Sequence, residues 1–164
     1  MRLLPVLCAL AGCALDADLG VIQRPTLNDV GASANAHVGL GGIGPKFALA
    51  LTVDTRVDVA GDGSRWAGGA SFLGGLPLPF GGATVFARAG VWRAIVSSAP
   101  EGAVVPTFAL GTYVPLHEVR PKRPEDAKYG SSSQGVIVGV RDDIDTNNYL
   151  TVFVGLALFI SPGY

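Results

Sequence analysis

Between residues 47 and 59 the chain alternates without a break. Phe47, Leu49, Leu51, Val53, Thr55, Val57 and Val59 fall on one row, and Ala48, Ala50, Thr52, Asp54, Arg56 and Asp58 on the other. Side chains of a strand point to opposite faces at each step, so a period of two held this long predicts a strand with one apolar face. A helix would scatter the acidic residues around its circumference. The same pattern recurs. Thr84–Arg93 sets Val85, Ala87, Ala89 and Val91 against Phe86, Arg88, Gly90 and Trp92, and Pro106–Leu116 sets Phe108, Leu110, Thr112 and Val114 against Ala109, Gly111 and Tyr113. Gln134–Arg141 sets Val136, Val138 and Val140 against Ile137, Gly139 and Arg141. The last segment sets Leu150, Val152, Val154, Leu156, Leu158 and Ile160 against Phe153, Gly155, Ala157 and Phe159. Weaker strands are expected over Ala36–Gly44 and Arg65–Leu76. Turn chemistry separates them at Gly44-Pro45, Gly61-Asp62-Gly63, Pro77 to Gly82, Pro100-Glu101-Gly102 and Asp145 to Asn148.

About seven or eight strands with short connections predict an all-β fold, an antiparallel meander closing into a small barrel. The alternative is a soluble β-sandwich or barrel. The two differ in what the apolar face meets, and three features favour lipid. The apolar rows carry no charge through their middles, where one would cost roughly 2–4 kcal/mol in a bilayer. The opposite rows are rich in Gly and Ala with a few charges. Finally, Gly155 followed by Leu158 and Ile160 resembles the closing strand of outer-membrane barrels, although Phe153 replaces the usual polar residue and Ser161–Tyr164 trails behind. If Asp54, Arg56, Asp58, Arg88 and Arg141 share a barrel interior, their mixed signs predict a charge-paired plug rather than an open pore.

Composition sharpens this. Charged residues are 15% of the chain, against about 25% in ordinary soluble domains. The 23 Gly and 11 Pro disfavour long helices. A formal net charge of −1 excludes the electrostatic footprint of a nucleic-acid binder, so no nucleic-acid partner is expected.

Both cysteines, Cys8 and Cys13, lie near the N-terminus, with no later cysteine or clustered histidine to complete a disulfide framework or a metal site. Arg2 followed by Leu3–Leu10 has the charge-then-apolar order of a secretory signal. Leu10-Ala11-Gly12-Cys13 then resembles the lipobox of bacterial lipoproteins. The resemblance implies cleavage before Cys13, with diacylglycerol on its thiol and an acyl group such as palmitate on its amine. Lipoprotein sorting, by the same resemblance, favours the outer membrane when Ala14 rather than aspartate follows the cysteine. The expected organisation is a signal peptide over 1–12, a lipidated tether over 13–34 with room for a short strand around Leu19–Gln23, and an antiparallel β domain over 35–164. The alternative address is the periplasmic face of a membrane.

Candidate chemistry is sparse. Gly39-Leu40-Gly41-Gly42-Ile43-Gly44 matches a dinucleotide fingerprint literally, but Pro45 and a strand follow it where the fingerprint needs a helix. His37 and His117 stand in no metal-ligand spacing. No G-x-S-x-G turn frames Ser131–Ser133, and the closely spaced His and Ser of the outer-membrane deacylase barrels are missing. No catalytic residue, cofactor-binding residue or metal ligand is therefore expected, and the one site residue is Cys13, for lipid. The expected partners are the membrane, through the anchor and through barrel insertion, and envelope proteins through the charged, Ser-rich loop over residues 117–133. The expected role is structural: scaffolding or docking in the cell envelope. The alternative is a tethered soluble domain that binds a small ligand or periplasmic partner.

Overall fold

The computed structural model describes residues 12–24, 29–43, 48–61, 63–79, 82–97, 104–119, 130–144 and 149–161. They form eight strands: β1 (Cys13–Arg24), β2 (Asp29–Ile43), β3 (Ala48–Ala60), β4 (Gly63–Pro77), β5 (Thr84–Ser97), β6 (Val104–Val119), β7 (Ser131–Asp143) and β8 (Tyr149–Ser161). Each pairs antiparallel with the next, and β8 returns to β1, closing a barrel. Closure leaves no sheet edge unpaired. The expected antiparallel barrel is therefore the fold.

Following ladder partners around the barrel from Gln23 leads through Leu150, Asp142, Phe108, Ala89, Phe72, Leu51 and Leu40 to Cys13. That is ten residues back along β1, a shear of 10. With strands about 4.8 Å apart and about 3.3 Å per residue, eight strands at this shear tilt by about 40°. At eight strands the bore is just wide enough for side chains to fill it.

The expected tether is corrected by this register. Residues 13–24 are β1 and residues 29–34 open β2, so the β domain begins at Cys13 rather than at residue 35. Leu15, Ala17, Leu19 and Val21 point outward, while Ala14, Asp16, Asp18 and Ile22 are buried inside. Asp16 and Asp18 look like solvated linker residues only if charge belongs on the outside. The eighth strand, short in the sequence count, is this one. The expected loop over 117–133 is also shorter, because β6 runs on to Val119 and β7 starts at Ser131. Its charged centre, the expected turns at Gly44-Pro45, Pro100-Glu101-Gly102 and Asp145 to Asn148, and residues 1–11 of the expected signal peptide lie outside the described residues.

Both described chain ends and the β2–β3, β4–β5 and β6–β7 connections share one rim, here the terminal end. The other four connections share the distal end.

Burial is inverted. Leu51, Val53 and Leu156 are 64%, 70% and 67% exposed, while Asp16, Asp58 and Asp143 are at most 3% exposed. Among the described residues, outward polar side chains stand near the rims: Gln23, Arg93 and Asp142 toward the distal end, His117 and Gln134 toward the terminal end. Between them the outward rows carry only Thr55 and Thr112 as polar side chains, and Trp66 Nε1 donates to Thr55 Oγ1 at 2.9 Å. Gln134 and Asp142 are eight residues apart on β7, roughly 20 Å of height at this tilt, and Cys13 to Gln23 spans roughly 25 Å. An apolar band about 25 Å tall is what a bilayer asks of a barrel.

Candidate functional site

The inner rows fill the lumen with three tiers of different chemistry. At the terminal end Leu73, Phe86, Tyr113, Ile137, Phe153 and Phe159 form an apolar plug with Ala14, Ala48 and Ala50. Tyr113 and Phe159 meet edge to face, centroids 5.3 Å apart, the arrangement ring quadrupoles prefer. The Tyr113 hydroxyl bonds to Ser133 Oγ, so Ser133 is a wall residue of the plug. Small residues make room for the rings: a Cβ on Gly111 would lie 2.6 Å from Phe86 Cζ, and one on Gly135 2.6 Å from Tyr113 Cε2. This is why the inward rows alternate Gly with aromatics.

The middle tier is a polar network. Arg88 reaches across the bore and donates to both oxygens of Asp16, at 3.2 and 2.6 Å. His37 lies among three carboxylates, with Nδ1 2.8 Å from Asp54 Oδ1 and Nε2 3.4 Å from Asp18 and 3.7 Å from Asp16. Asn35 donates to Asp18 at 2.7 Å, and Thr52 donates to Asp54 at 2.7 Å. Arg141 donates to Ser33 Oγ at 3.0 Å and lies 3.5 Å from Asp18.

The distal tier is an ion-pair latch. Arg56 donates through both terminal nitrogens to Asp143 and through Nε to Asp58 at 2.7 Å. Arg65 donates to the other Asp58 oxygen at 2.7 Å. Arg56 and Arg65 lie over the Trp92 ring, 4.7 and 4.1 Å from its centroid, and Trp92 Nε1 donates to Asp143 at 3.2 Å. Arg65 also lies 4.8 Å from the Tyr149 ring centroid. Fork-to-carboxylate bonds and ring stacking are the contacts that suit arginine to a desolvated site. Breaking one such buried pair costs about 3–5 kcal/mol, because it strands a charge.

Chemically, this lumen is a filling. Asp16, Asp18 and His37 can bring three ligand atoms within 4.8 Å of one another, the donor types of a metal centre. Each is already engaged, Asp16 by Arg88, Asp18 by Asn35 and Arg141, and His37 by Asp54. Between the middle and distal tiers lies a cavity of about 30 Å³, lined among others by Asp54, Gly69, Arg88, Thr107, Ala109 and Arg141. Pockets for small organic ligands run from about 300 Å³ upward.

The five charges expected to share an interior, Asp54, Arg56, Asp58, Arg88 and Arg141, do share it, and four of them are buried. Asp16, Asp18 and Asp143 are their partners and were not legible as such. Sequence separations of 72 residues for Arg88–Asp16 and 87 for Arg56–Asp143 depend on the closure and its shear. The available signal was the parity of β1. Its acidic residues share the row of Ala14 and Ile22, opposite Leu15 and Leu19. Gly39–Ile43 lies in β2 and the next described element is β3, with no helix among the described residues to meet a pyrophosphate. His37 belongs to the middle tier, while His117 is exposed on β6. Cys13 is the first residue of β1, paired with Leu40 and Ile160, a free thiol exposed on the outward row. No protein-family model, no curated protein and no solved structure matches the chain.

Proposed function

We propose that the chain is a closed, membrane-inserted barrel of the bacterial outer membrane, lipidated at Cys13, that serves the envelope as a scaffold or docking element. The observation that carries this reading is the outer surface, an uncharged apolar band roughly 20–25 Å tall on a barrel whose charges are paired inside. In water that surface would be a contiguous exposed patch far larger than soluble monomers carry. Backbone polar groups in the band are satisfied strand to strand, as the bilayer interior requires. The lumen supports a structural role over transport or catalysis, since a plug, a polar network and a latch occupy it in turn. The Cys13 side chain, on the outward row at the terminal rim, is placed for its acyl chains to enter the same leaflet that meets that rim. Docking falls to the connections, of which the β6–β7 loop at the terminal end is the longest.

Fractionation with carbonate extraction, and gel migration before and after boiling, test the reading. The expected result is a protein that stays with membranes and runs faster when unboiled. A chain without residues 1–12 that is soluble and monomeric without detergent would overturn it. Fatty-acid labelling of the wild type but not of Cys13→Ala is expected from the lipid anchor, and the barrel survives as a separate claim if that labelling fails.

A further inference from the structure

The cavity between the middle and distal tiers has a wall of two kinds. Ala67, Gly69 and Ala109, small residues of β4 and β6, leave the space, and polar or charged side chains of β1, β2, β3, β5 and β7 line the rest of it. Three of its lining residues keep a buried polar atom with no protein partner: Arg88 Nε, Arg141 Nε and Thr107 Oγ1. Both arginine side chains are more than nine-tenths buried, at 8% and 7% exposure. Their terminal nitrogens are committed to Asp16, Ser33 and Asp18, so the free Nε–H groups are held in place rather than searching. A buried donor left without an acceptor costs about 1–3 kcal/mol, and more when it is charged. Asp54, which lines the same cavity, keeps 13% side-chain exposure although the lumen is filled above and below it.

We infer that this cavity is a built water site, in which ordered water accepts from Arg88 Nε, Arg141 Nε and Thr107 and donates to Asp54. A water needs about 10–15 Å³ of such volume and two to four polar partners, so a cavity of about 30 Å³ takes about two. The occupant must accept from two guanidinium N–H groups and also tolerate two carboxylates, Asp18 and Asp54, in the same wall. Water does both. A halide would meet the first demand and be repelled by the second, and a metal cation would face the two N–H groups. Arg56 and Trp92 of the latch line the same space, so the water lies against the latch while its hydrogen bonds stay within the cavity wall. This inference holds whichever medium surrounds the barrel.

The test is nuclear magnetic resonance on the full chain folded in detergent micelles. The expected result is cross-peaks from Arg88 and Arg141 Nε–H to long-lived water, unchanged when chloride is replaced by bromide or acetate. Ala109→Leu, whose side chain would occupy the space, is expected to lose them. Thr107→Val keeps the volume and removes one partner, and at least a twofold loss of cross-peak intensity is expected should Ala109→Leu fail to fold. Nε–H signals that shift saturably with bromide would make the site an anion site and overturn the inference. A folded barrel whose Nε–H groups show no contact with water would overturn it equally.

Discussion

The two ends of the lumen are closed by opposite chemistries on the same alternating scaffold. At the terminal end, rings and aliphatic groups pack into spaces left by Gly111 and Gly135. At the distal end, two arginines and two aspartates interlock over Trp92. The plug draws on burial and dispersion, which are non-directional and tolerate repacking. The latch draws on geometry, and one wrong partner leaves a charge stranded in the bore. The difference teaches where specificity sits. A slip of strand register would leave the plug apolar against apolar, whereas it would pull Arg56 on β3 away from Asp143 on β7, its partner across the bore.

The largest effect is expected at the latch. Asp143→Leu leaves Arg56 only Asp58 and leaves Trp92 Nε1 without its acceptor, a loss of about 3–5 kcal/mol. The urea midpoint of the fast-migrating gel form measures it. Adding Arg56→Met to the same chain is expected to recover most of that loss, since the stranded charge is gone. If the double variant is as weak as the single one, the latch contributes packing rather than paired charge. At the plug, Ile137→Ala removes buried methyl groups and is expected to cost about 3 kcal/mol by the same measurement. No second substitution of opposite charge character should rescue it; rescue comes only from added volume nearby. The smallest effect is expected from Tyr113→Phe, which removes the bond to Ser133 and keeps the ring, at about 1 kcal/mol. A loss as large as that of Asp143→Leu would show the plug to be held by its hydrogen bond and would erase the contrast.

How much of this was legible in the sequence follows from the same contrast. Strand β3 was fully readable, because thirteen residues from 47 to 59 keep strict parity and their charges share one row. β1 was not. Its alternation is equally regular, but Asp16, Asp18 and Gly20 resemble a linker unless the interior is already known to be charged. Ser133 misled in the same way, since a serine that lines a bore and a serine that decorates a loop look alike in composition. The inward direction of Asp54, Arg56, Asp58, Arg88 and Arg141 was readable from parity alone. Their pairing was not, because a shear of 10 decides which tiers meet and no local pattern encodes it. Cys13 stood out by its tetrapeptide, yet nothing nearby in sequence placed it at the start of a strand.

The central claim is that the outer band meets lipid, and an arginine placed at two depths on one strand tests it most directly. Val53 pairs with Val38 and Ala70 near the middle of the band, while Val59 pairs with Ala32 and Ser64 near its distal rim. Reversible folding of each variant into phosphatidylcholine vesicles is the measurement. Val53→Arg is expected to lose about 2–4 kcal/mol and Val59→Arg no more than about 1 kcal/mol. Equal and small losses at both positions would mean that the band is bathed in water, and would contradict the account.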